Sequence, residues 1–158
     1  MNIDVKRRLM LKGSMVAGMA TVAAAAGLLS PASVLAAWPK AAFDAKSIDS
    51  AMSTLLGSSA ATSSGDIKIK APSIAENGAV VNVVVSTKIP DVESISILVE
   101  KNGTPLAFTV DLAKTADSFV KTRVKLGQTS KVIGVIKAGG KVFTTNKVVK
   151  VTVGGCGG

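Results

Sequence analysis

The one residue in this chain suited to covalent chemistry is Cys156, in the closing stretch Gly154-Gly155-Cys156-Gly157-Gly158. It is the only cysteine in 158 residues. A packed cysteine needs neighbours that hold it, whereas glycine loses more backbone freedom on ordering than any other residue. Four glycines around one thiol therefore predict a mobile arm that carries an exposed nucleophile. Glycine on both sides also keeps the tip thin, so that it can enter a narrow cleft where a branched or aromatic neighbour would clash.

Histidine and tyrosine are both absent. With one cysteine and no histidine, a zinc or copper site of the usual nitrogen and sulfur type is excluded. So are Ser-His-Asp and Cys-His arrangements. A free cysteine has a pKa of about 8.5, so only a small fraction is thiolate near neutral pH. No residue upstream can act as its base, and a terminal carboxylate nearby disfavours deprotonation. The expectation is a thiol activated by other proteins, in a chain that is not itself an enzyme and holds no cofactor. A lone exposed thiol is also expected to form disulfide-linked dimers or mixed adducts in an oxidising compartment.

The element that delivers the chain to its place of work is read at the other end. Lys6-Arg7-Arg8-Leu9-Met10-Leu11-Lys12 is a twin-arginine pattern, followed by an Ala/Gly-rich apolar run from Gly13 to Leu29. Ser30-Pro31 breaks that run, and Val34-Leu35-Ala36 supplies small residues for a signal peptidase. The reading is a Tat signal over 1–36, dependent on Arg7 and Arg8, with cleavage between Ala36 and Ala37. The apolar run is shorter than the roughly 20 residues a spanning helix needs, so no membrane association is expected after cleavage. The expected location is the periplasm. The Tat route moves folded proteins, and this sequence has no cofactor ligands, so a partner subunit lacking its own signal is the expected passenger. Cleavage leaves 15 basic and 9 acidic residues, a net +6 against +9 for the full chain.

The elements that must position the thiol lie between. Ala41 to Leu56 reads as a short amphipathic helix, with Phe43, Ile48, Met52, Leu55 and Leu56 on one face and Gly57 as its stop. Its apolar face is expected to pack on the chain's own sandwich. Ser58 to Gly65 reads as a linker, so that 37–65 forms a helix-and-linker segment. From Asp66 the period becomes two. Strands are expected at Ile67 to Lys70, Ala79 to Ser86, Ile95 to Val99, Val120 to Leu126, Lys131 to Lys137, Lys141 to Asn146, and Val149 to Val153. Asn77-Gly78 and Asn102-Gly103 carry the signal of tight hairpins, and Gly139-Gly140 gives a third turn. About seven short strands with regular turns predict a mainly β fold, an immunoglobulin-like antiparallel β-sandwich over 66–153, followed by the arm at 154–158. Trp38 falls outside the strands. From the end of the last strand, the thiol reaches roughly 10 Å if the arm is extended.

Many cations line these strands, among them Lys121, Arg123, Lys125, Lys131, Lys137, Lys141, Lys147 and Lys150. Solvated faces and edge protection account for such residues one by one. A basic surface that draws anionic compounds or an acidic enzyme mouth is the functional alternative. Asp91, Glu93, Asp111 and Asp117 form no recognisable catalytic pair. Export argues against a nucleic-acid partner.

The chain resembles the SoxY family of the Sox thiosulfate-oxidation system. The resemblance is carried by Ala71-Pro72-Ser73-Ile74-Ala75-Glu76-Asn77-Gly78, by Thr122-Arg123-Val124-Lys125-Leu126 through Thr129, and by Val149-Lys150-Val151-Thr152-Val153 leading into the pentapeptide. Asn82 and Gly103-Thr104-Pro105 depart from the more proline-rich family pattern. The resemblance implies a SoxZ-like sandwich subunit as heterodimer partner. It implies Cys156 as the attachment point for sulfur intermediates, first an S-thiosulfonate and then a persulfide. It also implies transient docking with a thiosulfate-conjugating haem enzyme, a sulfate-releasing hydrolase and a sulfane dehydrogenase. A thiol carrier serving another periplasmic oxidoreductase pathway, and a non-carrier structural sandwich, are the readings it competes with.

Overall fold

The structure is a computed structural model and describes residues 38–152. The chain divides into two compact units, Met1–Trp38 and Pro39–Gly158. Arg7, Arg8, Ala36 and Ala37, and the arm from Gly154 to Gly158 with Cys156, lie outside the described residues. Of the first unit only Trp38 is described, 68% exposed.

Within the second unit, alternation of apolar and polar residues builds two sheets. Nine strands follow in order: β1 Thr62–Ser63, β2 Ile67–Lys70, β3 Ile74–Ala75, β4 Val81–Thr87, β5 Val92–Val99, β6 Leu106–Asp111, β7 Phe119–Val124, β8 Ser130–Ala138 and β9 Lys141–Val151. The larger sheet has the order β1-β9-β8-β5-β6, with β3 also on β9, and the smaller has the order β2-β4-β7. Ile67, Val81, Val83, Val85 and Val124 from the smaller sheet meet Ile95, Ile97, Val99, Val132, Ile136 and Val149 from the larger. This is the expected β-sandwich, with a core built mainly of valine and isoleucine.

Alternation puts Leu98, Val135 and Val142 on the opposite face of the larger sheet, where the helical segment covers them. That segment is two helices rather than one: α1 Lys40–Asp44 and α2 Ile48–Leu56. The expected continuous helix breaks because Ala45 turns extended and Ser47 starts a new helix, its side chain accepting a hydrogen bond from Ser50 N at 3.1 Å. Such a cap satisfies one of the unpaired N–H groups of a helix start. Gly57 ends α2 in the left-handed conformation, φ 79°, as expected. Phe43, Ile48, Met52, Leu55 and Leu56 all pack toward the chain's own sheet.

Three turn expectations divide. Gly139 and Gly140 have φ 55° and 71° and close the two-residue hairpin between β8 and β9, the geometry of a primed turn. Asn102 sits in a longer β5–β6 connection, where its side chain donates to Lys125 O at 2.7 Å and accepts from Gly127 N at 3.1 Å. Asn77-Gly78 is not a hairpin at all, because β3 and β4 belong to different sheets. The two strands expected at Lys141 to Asn146 and Val149 to Val153 are one, β9, paired with β8 without interruption. β1 lies inside the stretch read as a linker and pairs in parallel with β9, Thr62 opposite Phe143.

Candidate functional site

Cys156 itself is outside the described residues, so the site is built from what holds the chain just before it. β9 is the longest strand, with eleven residues, and its last residues are held on both flanks. On one flank β3 runs parallel, with Ile74 opposite Lys150 and Ala75 opposite Val151. Lys150 N donates to Ser73 O at 3.0 Å and Thr152 N to Ala75 O at 3.1 Å. Lys147 Nζ reaches back to Ala71 O at 2.6 Å. On the other flank Val151 N donates to Thr129 Oγ1 at 3.0 Å.

Gly78 closes the same corner. Its carbonyl accepts from Leu126 N at 2.7 Å. A Cβ there would stand 2.4 Å from Leu126 O and 2.8 Å from Val151 Cγ1. Gly78 lies in the turn from Asn77 to Val80 without a positive φ, so what demands glycine there is the close approach. The stretches 71–78, 122–129 and 149–152 are thus brought together through Lys150, Val151 and Thr152 at one end of the sandwich, with Lys147 beside them. From Thr152 the contour length puts the Cα of Cys156 at most about 13–14 Å away.

That reach decides which surfaces the thiol can use. An open depression of about 600 Å³ is lined by Asp91, Glu93, Leu112, Lys114 and Gly139. Gly139 belongs to the hairpin at the start of β9, and the arm leaves from its end. Ten residue steps of strand separate the two ends, about 33 Å, well beyond the arm. Within that depression Glu93 accepts from Gly140 N at 3.0 Å and pairs with Lys137 at 3.3 Å. The Gly140 N–H, with Lys137 second, holds the Glu93 carboxyl below its usual range against a small opposing effect of burial. Among the described residues no group of three or more His, Cys, Asp or Glu is placed to hold a metal.

The cations read along the strands do not form one patch. Lys131 pairs with Glu100 and Lys137 with Glu93, both at 3.3 Å. Lys147 is spent on Ala71 O. Lys121 and Arg123 face outward from the smaller sheet. Thr129, Ser73 and Gly78 fix the last residues of β9, and of the three only Gly78 carries a sequence signal, that of an Asn-Gly turn.

The fold is a two-sheet sandwich whose last described strand is held on both flanks. The chain belongs to the SoxY family: the family described as sulfur oxidation protein SoxY matches residues 52–156. The chain is similar to the solved sulfur carrier protein SoxY from Chlorobium limicola f thiosulfatophilum, with 38% identity and a TM-score of 0.61, over 66% of this chain and 96% of that one. A superoxide reductase (neelaredoxin) from Ignicoccus hospitalis is a distant match, 19% identical with a TM-score of 0.49 over 54% of this chain and 80% of that one. None of the curated proteins matches.

Proposed function

We propose that Cys156 is the covalent attachment point for sulfur intermediates of thiosulfate oxidation, held on the arm Gly154, Gly155, Gly157 and Gly158 and offered to separate enzymes. The observation that carries this is the convergence of the three family-like stretches on the strand end that feeds the arm. Holding the root while leaving only glycines around the thiol gives a fixed pivot and a thin tip.

The chemistry needs others. Joining thiosulfate to the thiol forms a S–S bond and releases one proton and two electrons. The electrons require an acceptor, which a haem enzyme supplies. Water then cleaves the S–S bond to the sulfonate group, releasing sulfate and leaving a cysteine persulfide. A further enzyme oxidises the remaining sulfane sulfur. With no histidine in the chain, the base for each step comes from the cleft that receives the arm. Export by Arg7 and Arg8, cleavage at Ala36–Ala37, a periplasmic location and a SoxZ-like heterodimer partner complete the reading.

The test is the mass of the C-terminal peptide from cells given thiosulfate. S-thiosulfonate and persulfide forms of Cys156 are expected, and Cys156→Ser should abolish growth on thiosulfate while the chain still folds and exports. Growth unaffected by Cys156→Ser would return the chain to a structural sandwich.

A further inference from the structure

The outer face of the smaller sheet is positively charged along its length. Ile67, Val81, Val83, Val85 and Val124 turn into the core, so the opposite parity of β2, β4 and β7 turns outward. Register places Lys70 and Lys121 on either side of Val84, Arg123 beside Asn82, and Lys68 one row further back, beside Ser86. With strands about 4.8 Å apart and about 6.8 Å between same-face residues, these four cations share a patch of about 10 by 14 Å. No carboxylate lies among the outward residues of these strands. None of the four is in an ion pair among the described residues, whereas Lys131 and Lys137 on the larger sheet each have one.

Edge protection explains a lysine on β2 or β7, which are the edges of this sheet. It does not explain why every charge on the face has one sign, since alternating lysine and glutamate would blunt an edge equally and without repulsion. The patch also has a direction. Asp66 and Asp117 precede β2 and β7 at one end. At the other end Arg123 leads through Lys125 to Leu126, whose N–H bonds Gly78 beside Val151. Lys125 also lines an open depression of about 480 Å³ together with Lys46 and Lys101. The positive face therefore ends at the root of the arm.

We infer that this face docks an acidic protein surface at the mouth of a cleft that receives the arm. The inference rests on the carrier reading of Cys156. Val84, Asn82 and the half-exposed Phe119 beside Ser86 place apolar and amide groups among the charges, contact points for a shaped protein partner. Charge complementarity of this kind raises the encounter rate and fixes orientation, and salt weakens it. A short tethered thiol gains from both, because a partner that meets the wrong face leaves the arm out of reach.

The experiment uses the full chain in its cell of origin, with a photo-cross-linking residue in place of the exposed Asn82. It is compared with the same chain carrying Lys70→Glu, Lys121→Glu and Arg123→Glu, and with a chain carrying the three corresponding glutamine changes. All three cations are exposed, so matching thermal midpoints will confirm that the fold is intact. The expected result is a cross-link to an Asp/Glu-rich protein segment, reduced in the glutamine chain and lost in the glutamate chain. Loading of Cys156 by thiosulfate should slow by about ten-fold or more in the glutamate chain at low salt. The gap should close to about two-fold by about 0.5 M NaCl. A cross-link to lipid, to a second copy of the chain or to a basic segment overturns the inference, as does no cross-link or one indifferent to charge. If Cys156 never gains a sulfur adduct, the carrier reading fails while the cross-link still judges the face. If adducts form equally fast in all three chains, the face fails and the carrier reading stands.

Discussion

Thr129 and Val151 meet twice: Val151 N donates to Thr129 Oγ1 at 3.0 Å, and the same hydroxyl donates back to Val151 O at 3.5 Å. One hydroxyl thus holds both backbone groups of the last strand residue before the arm. Thr129→Val keeps the shape and removes both bonds. The expected loss of stability is about 0.5–1.5 kcal/mol, since Val151 is near solvent and water replaces part of what is lost. The local effect should be larger than the global one. Amide exchange at Val151 and Thr152 should accelerate while the centre of β8 stays protected, and Thr129→Ser should restore it. Uniform acceleration across β8 and β9 would show that the hydroxyl supports the whole sheet rather than the pivot.

Gly78→Ala tests the same corner from the opposite side. The new Cβ would stand 2.4 Å from Leu126 O, a backbone atom that no rotamer change can move. Relief requires the 76–80 segment or the 125–129 loop to shift, and forced fits of this kind cost about 1–3 kcal/mol. A drop in denaturant midpoint is expected, together with faster amide exchange at Leu126, whose N–H bonds Gly78 O at 2.7 Å. Gly103→Ala, with open space around it, should leave the midpoint unchanged. Equal effects at both glycines would make the loss a matter of backbone freedom and not of crowding.

These corners explain what could be read in advance. The sandwich was legible because Val120, Thr122 and Val124 alternate with Lys121 and Arg123, and because the valine run over 81–85 is broken only by Asn82, with Val81, Val83 and Val85 then buried. β6 carries no alternation to read, because Leu106 is buried and Ala107 to Val110 behind it are all partly covered. The break expected after Asn146 was false, since Asn146 and Lys147 pair with Ile133 and Val132 like any other strand residues. The count of seven longer strands holds because these two differences offset each other. Cys156 stood out by its composition alone. Its supports did not, because Thr129 is 22 residues from Val151, and a hydroxyl that far away carries no local pattern. At Asn77-Gly78 the signal marks a real turn, with Val80 N donating to Asn77 O at 3.4 Å, but not a hairpin, and the crowding of Gly78 by Leu126 and Val151 leaves no local pattern.

Met52 is buried at 4% exposure between α2 and the larger sheet, packed with Leu98 and Val135 among others. Met52→Ala should destabilise the domain by about 2–4 kcal/mol, through lost apolar contact and the cavity left behind. The denaturant midpoint is the measurement, with Asp49→Ala on the exposed side of the same helix as the control. A normal midpoint combined with weakened subunit association would instead assign the helix face to a partner.

Glu93 gives the domain an acid-range signature remote from the thiol. Its carboxylate is held below the ordinary value near 4.5, first by the Gly140 N–H and then by Lys137, with slight burial acting the other way. A carboxyl whose folded pKa lies below its unfolded one stabilises the fold above the unfolded pKa, and that gain is lost as pH falls through the folded value. Wild type should therefore melt above Glu93→Gln from neutral pH down to about 4.5, and the two should converge in more acid solution. Replacing Lys137 with Met removes the ammonium and moves the Glu93 pKa back up, so the advantage over a chain that also carries Glu93→Gln should be smaller and should be fully lost at a higher pH than in wild type. Thermal midpoints of these chains between neutral and strongly acid pH give the answer. A wild-type advantage that persists undiminished in acid would mean that the hairpin is held by shape and not by this charge.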